Sequence, residues 1–137
     1  MILLFAKQHK KKLLGFLILL VFLTETGLWI NRSESLEGQV FFVFPWRIKR
    51  GDLVAFKRDK IRIIKKVAGI PGDRVSIGEG RVFVREESFL LEEGHDPAIS
   101  GVMGGYFVVG THPRSFDSRY KAFGLVQEIQ GKAWRIL

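Results

Sequence analysis

Residues 61–73 read IRIIKKVAGIPGD. The first eight alternate in character. Ile61, Ile63, Lys65 and Val67 fall on one face of an extended strand, and Arg62, Ile64, Lys66 and Ala68 fall on the other. Gly69, Pro71 and Gly72 follow at once and close the run. A β-branched segment ended by Gly and Pro is a strand leading into a turn. Lys65 is the only charge on an otherwise apolar face. Two fates are open to it. It snorkels from the sheet edge to water, or it stays buried. Burial disfavours the ammonium, and a lysine neutral near pH 7 is a general base.

Short apolar runs of the same kind flank this stretch: Gln39–Phe44, Leu53–Phe56, Arg81–Val84, Tyr106–Val109, Leu125–Ile129 and Ala133–Ile136. They are rich in Val, Ile and Phe, and Gly or Pro separates most of them. The pattern predicts a mainly β domain over residues 31–137. Residues 86–105 are the least patterned and read as a variable loop. No helical period, internal repeat or low-complexity tract occurs in this part of the chain.

The N-terminus is different. Leu13–Leu23 reads LLGFLILLVFL without a charge, and apolar character resumes at Gly27–Ile30. A helix over residues 13–30 is about 27 Å long, near the roughly 30 Å hydrocarbon core. It predicts a single transmembrane helix preceded by a basic cytoplasmic tail, residues 1–12, that holds Lys7, Lys10, Lys11 and Lys12. The positive-inside rule then sends residues 31–137 out of the cytoplasm, with Trp29 at the outer interface. Glu25 stands two-thirds along this helix, leaning toward the interface. A cleaved signal peptide has similar regions, but no small-x-small site follows; the chain continues TETGLWIN.

The 137 residues suffice for one modest domain. The formal net charge is +8. Without residues 1–30, which hold four lysines and Glu25, it falls to +5, and the remaining cations are scattered among acids. That argues against a nucleic-acid partner. Cysteine is absent, which excludes thiolate zinc sites and a cysteine nucleophile. His9, His95 and His112 show no metal-ligand spacing, so neither a metal nor another cofactor is expected.

From Lys65 onward, KKVAGIPGDRV resembles the lysine box of type I signal peptidases, K-R-x-x-G-x-P-G-D, with Lys66 in place of the usual Arg. SFDSRY at Ser115–Tyr120 resembles the family's S-x-D-S-R box, with Gly110 a few residues before it. RGDLVAF at Arg50–Phe56 resembles its R-G-D-x-V-x-F segment. The nucleophile box, Ser-x-Ser, is matched by Ser33-Glu34-Ser35 after Asn31. Within the family the wording is closest to the conjugative-transfer (TraF-type) branch. Glu37 stands where that branch has Pro. The short distance between the lysine and SFDSR boxes also suits that branch.

The resemblance implies a Ser–Lys dyad. Ser35 attacks the scissile carbonyl, and neutral Lys65 takes its proton. Ser115 orients the lysine, and the Ser33 hydroxyl joins the Ser35 backbone N–H in the oxyanion hole. Asp117 and Arg119 pair to hold the Ser115 loop, and Asp73 gives structural support. The implied protein is a membrane-anchored serine endopeptidase of the bacterial inner membrane, with an extracytoplasmic catalytic domain. Its expected partners are a precursor protein, most specifically a pilin or another component of a conjugative type IV secretion system, the membrane, and other secretion-system components. The alternatives are a general signal peptidase and a non-catalytic membrane-anchored scaffold.

Overall fold

The computed structural model describes residues 1–25, 27–31 and 39–137, leaving aside the side chains of residues 2–6 and 21–25. Ser33 and Ser35 lie outside the described residues. One helix, α1 (Ile2–Glu25), precedes ten strands: β1 (Gly27–Ile30), β2 (Val40–Phe44), β3 (Leu53–Arg58), β4 (Ile61–Gly69), β5 (Arg74–Gly78), β6 (Arg81–Val84), β7 (Glu87–Leu90), β8 (Gly101–Val102), β9 (Phe107–Val109) and β10 (Gly131–Arg135). The mainly β expectation holds.

The strands form two antiparallel sheets. The larger has the order β1-β2-β10-β3-β4-β9, and the smaller β7-β6-β5-β8. Two-residue turns set the β3–β4 and β5–β6 registers. Asp59 and Lys60 lie at φ 50° and 65°, and Glu79 and Gly80 at 52° and 70°. Two successive positive φ values make the primed turn whose twist matches antiparallel strands.

The larger sheet buries both faces. Trp29, Phe41, Val43, Ala55, Ile64 and Ala133 pack on one side. Val54, Phe56, Val67 and Val108 pack on the other, beneath Phe123 and Val126. The far end of β4 enters a third cluster with the smaller sheet, made of Ala68, Val75, Val82, Val84, Met103, Phe107 and Val109. Gly69 sits where the two sheets meet. A Cβ there would collide with Met103 and Val84, so only glycine permits this approach.

The expected helix over residues 13–30 is corrected at both ends. Residues 1–12 were expected as a separate tail, but helical structure begins at Ile2. The helix ends at Glu25, and Gly27, at φ 94°, starts β1. Trp29 is not at an outer interface. It pairs with Phe41 across the β1–β2 hairpin and is 1% exposed, because its side chain packs with Phe41, Val43 and Ala55 on one face of the sheet. The helix therefore mixes four lysines with a shortened apolar run. No helix among the described residues is long and apolar enough to cross a membrane.

One loop assignment and one strand assignment also change. Residues 86–105 contain β7 and β8. Leu125–Ile129 is not a strand: only Val126 bridges, to Tyr106, through two backbone hydrogen bonds of 2.8 and 3.0 Å.

Candidate active site

Antiparallel register places Lys65 opposite Val54 and Ile63 opposite Phe56. Lys65 therefore points into the face that holds Val54, Phe56 and Val67, and it is 5% exposed. Lys66 points to the other face and is half-buried beside Leu53 and Val109. Of the two fates open to Lys65, the structure shows burial.

Lys65 Nζ donates to Ser115 Oγ at 2.5 Å across a separation of 50 residues. Burial pushes the Lys65 ammonium below the usual lysine range. The Asp117 charge pulls it back up, and the Arg119 charge pushes it down again. Desolvation is the largest of the three and sets the direction.

The loop that carries Ser115 is braced from within. Asp117 is fully buried. Its carboxylate accepts from Gly110 N–H at 2.8 Å, Arg119 N–H at 3.1 Å, Arg119 Nε at 2.9 Å and Arg119 Nη2 at 2.7 Å. Four donors around two carboxylate oxygens compensate a charge that would otherwise be prohibitive to bury. Ser118, also buried, accepts from Val108 N–H at 2.9 Å and donates to the Gly124 carbonyl at 2.8 Å. Since Val108 pairs with Val67 in β4, the loop is clamped to the strand that carries Lys65. A buried lysine is thus held against a serine, on a clamped loop beside a buried Asp–Arg pair, and a lysine whose ammonium is disfavoured can accept a proton.

The model of the signal peptidase family, peptidase S26, matches residues 13–136. The chain belongs to the signal peptidase family. At the family level it is a serine peptidase acting on precursor proteins. No curated protein matches the chain.

In this signal peptidase a cleft of about 730 Å³ opens against Lys65. Ile61 and Ile63 of β4, Phe116 and Phe123 of the Ser115 loop, and Leu28, Ile30 and Asn31 at the end of β1 line it. Asn31 N–H donates to the Gln39 carbonyl at 2.8 Å, closing the base of the β1–β2 hairpin. Ser33 and Ser35 belong to residues 32–38, which connect these two positions.

Asp73 stands apart from Lys65, at the entry to β5. It accepts from Arg50 Nε at 2.6 Å and from Arg50 Nη2, from Ile70 N–H at 3.0 Å, and pairs with Arg85 at 4.0 Å. The Arg50 hydrogen bond, ahead of its charge, holds the Asp73 carboxyl below the usual carboxylate range. The RGD and GIPGD motifs thus meet in one ion pair. Asp52 binds Lys49 N–H at 2.8 Å and Lys132 at 3.1 Å.

His95 and His112 serve turns. Their Nδ1 atoms accept the N–H groups of Glu92 and Arg114 at 2.9 and 3.0 Å. Sequence reasoning did not find Phe116, Phe123 or the partner of Asp73. Phe116 lay within the recognised motif at its variable position, and the Arg50–Asp73 contact spans 23 residues, beyond any local pattern.

Proposed function

We propose that this signal peptidase is a membrane-attached Ser–Lys endopeptidase that removes the leader of an exported precursor. The observation that carries the reading is the buried Lys65–Ser115 contact in the wall of a cleft that Asn31 also lines. Ser35 is four residues from Asn31, within about 14 Å by chain length, so the reach from hairpin base to cleft is short.

The chemistry follows from the lysine. Ser35 Oγ attacks the scissile carbonyl as Lys65 takes its proton. Lys65 then donates that proton to the leaving amine. Water, deprotonated by the same amine, hydrolyses the acyl-enzyme. Ser115 keeps the amine aimed. The Ser35 N–H and the Ser33 hydroxyl stabilise the oxyanion, and each such donor is worth about 2.7–4 kcal/mol.

Membrane attachment is supported by exposed apolar surface. Leu13, Leu14, Phe16, Leu17 and Ile18 of α1 are all about half exposed or more. The helix leads into β1, and the adjoining sheet face carries a ladder of Leu28, Phe42, Phe44 and Trp134, with Trp46 tilted against Phe44 beyond it. Aromatic rings of this kind suit the lipid interface. The lysines of α1 remain cytoplasmic, and the β domain acts outside, at the inner membrane.

The substrate we propose is a pilin or other component of a conjugative type IV secretion system. The resemblance of Asn31–Ser35 and of HPRSFDSRY to the conjugative branch supports it, as does the small second sheet between the lysine and SFDSR boxes. A general signal peptidase is the second reading, favoured by the family match itself. Co-expression with a prepilin and with a general secretory precursor, each with wild type and Ser35→Ala, separates the two by intact mass. Serine-dependent cleavage of the prepilin alone is expected. Cleavage of both would favour the general enzyme. Serine-independent processing or none, with no labelling of Ser35 by a serine-reactive probe, would leave the scaffold.

A further inference from the structure

The Ser115–Asp117 segment points in two directions. Ser115 and Asp117 are 3% and 0% exposed, while Phe116 between them is 54% exposed. Its neighbours fix the backbone through the Lys65 contact on one side and the carboxylate cage on the other. The ring is fixed as well. It meets Phe123 edge-on at 5.2 Å and Tyr120 at 5.4 Å. Phe123 is itself held by Phe56 at 6.2 Å and by the Arg58 guanidinium at 4.1 Å.

An aromatic ring held this firmly, yet half uncovered, faces the cleft. An apolar cover would remove the exposed part of the ring from water, which is favourable. Consecutive Cα atoms are 3.8 Å apart, so Phe116 stands one residue from the group that contacts the base. Lys65 and Phe116 line the same cleft, so a segment seated against the lysine also passes the ring.

We infer that Phe116 is a specificity-determining residue: it packs against an apolar substrate side chain within one residue of the scissile bond. This rests on the reading of Lys65 as the base. Phe116 itself moves no proton. It discriminates by covering apolar area, which in a pocket of this type is worth about tenfold per methylene-sized increment.

The test uses the full chain in detergent micelles and internally quenched peptides derived from a cleaved precursor. The residues on either side of the scissile bond are varied in turn to Gly, Ala and Leu. Wild type is expected to favour an apolar residue at one of the two positions. Phe116→Ala should lose about tenfold in kcat/KM for the favoured peptide, mainly through KM, and less than about twofold for its Gly counterpart. Phe116→Leu should recover part of the preference, and the pH profile of kcat should stay in place. Equal loss over all peptides, or a shifted pH profile, would show that the ring only supports Ser115 and would overturn the inference. Lys65→Ala is run alongside. Cleavage that survives it would remove the base itself, whatever Phe116 does.

Discussion

Two buried aspartates among the described residues are each held by an arginine, and the two pairs do different work. Arg50–Asp73 joins the β2–β3 and β4–β5 turns where the sheets meet, and its arginine is 36% exposed. Arg119–Asp117 lies inside the Ser115 loop, with its members 8% and 0% exposed. The first pair is an architectural tie within reach of water. The second is sealed, and both its charges act on Lys65. The same two residue types therefore make a strap in one region and an electrostatic setting for a buried lysine in the other. Burial and the third partner make the difference.

The largest effect should come from Lys65 itself. Lys65→Met should abolish cleavage, by about 10³-fold or more, because serine without its base is nearly inert. The same variant should be more stable than wild type at neutral pH. The folded pKa of Lys65 lies below its unfolded value, so between the two the unfolded chain binds more protons and wild-type stability rises with pH. The advantage of Lys65→Met should shrink as pH approaches 10.5, the ordinary lysine value. Chemical denaturation at several pH values checks this.

Asp117→Asn comes next. It leaves Arg119 buried without its counter-charge, which typically costs about 3–5 kcal/mol. It also removes a charge that raises the Lys65 pKa, so the activity of surviving protein should rise at lower pH than in wild type. An unshifted profile would reduce the sealed pair to a strap.

Asp73→Asn should cost less than about half as much, since water screens the Arg50 side. It should leave the pH profile of cleavage in place. Because the Asp73 carboxyl is held low when folded, its stabilisation is present above the ordinary carboxylate pKa and is lost as pH falls through the folded value. Asp73→Asn should therefore flatten the acid limb of the unfolding curve. A shift of the cleavage profile would erase the distinction between the two pairs. The smallest effect is expected at Lys66. Lys66→Gln, next to Lys65 but on the opposite face of the sheet, should change cleavage less than about twofold, because its side chain points away from the cleft.

Much of this organisation was legible from alternation alone. The β4 pattern separated Lys65 from Lys66, and the runs at β2, β3, β6 and β9 read correctly. The failures share a cause. Gly27–Ile30 was apolar enough to extend a helix, but four residues carry no period that distinguishes the two, and pairing with Phe41 and Val43 made it a strand. RVSIG (β5) and ESFL (β7) are short and half polar, and neighbouring strands define them. Leu125–Ile129 has strand composition without a strand partner beyond Tyr106. At the site, the resemblance of SFDSRY to a family box pointed to Ser115, Asp117 and Arg119. The cleft wall at Phe116 and the Arg50 end of the Asp73 pair depend on three-dimensional proximity that spacing does not encode.

In the proposed function, Lys65 is a base made available by burial. The most direct measurement is titration of the Lys65 side chain by NMR in the full chain, alongside the pH dependence of kcat/KM. A Lys65 midpoint below 10.5 that coincides with the rising limb of activity is the predicted result. A midpoint at or above 10.5, or a rate that stays flat while Lys65 titrates, would contradict it.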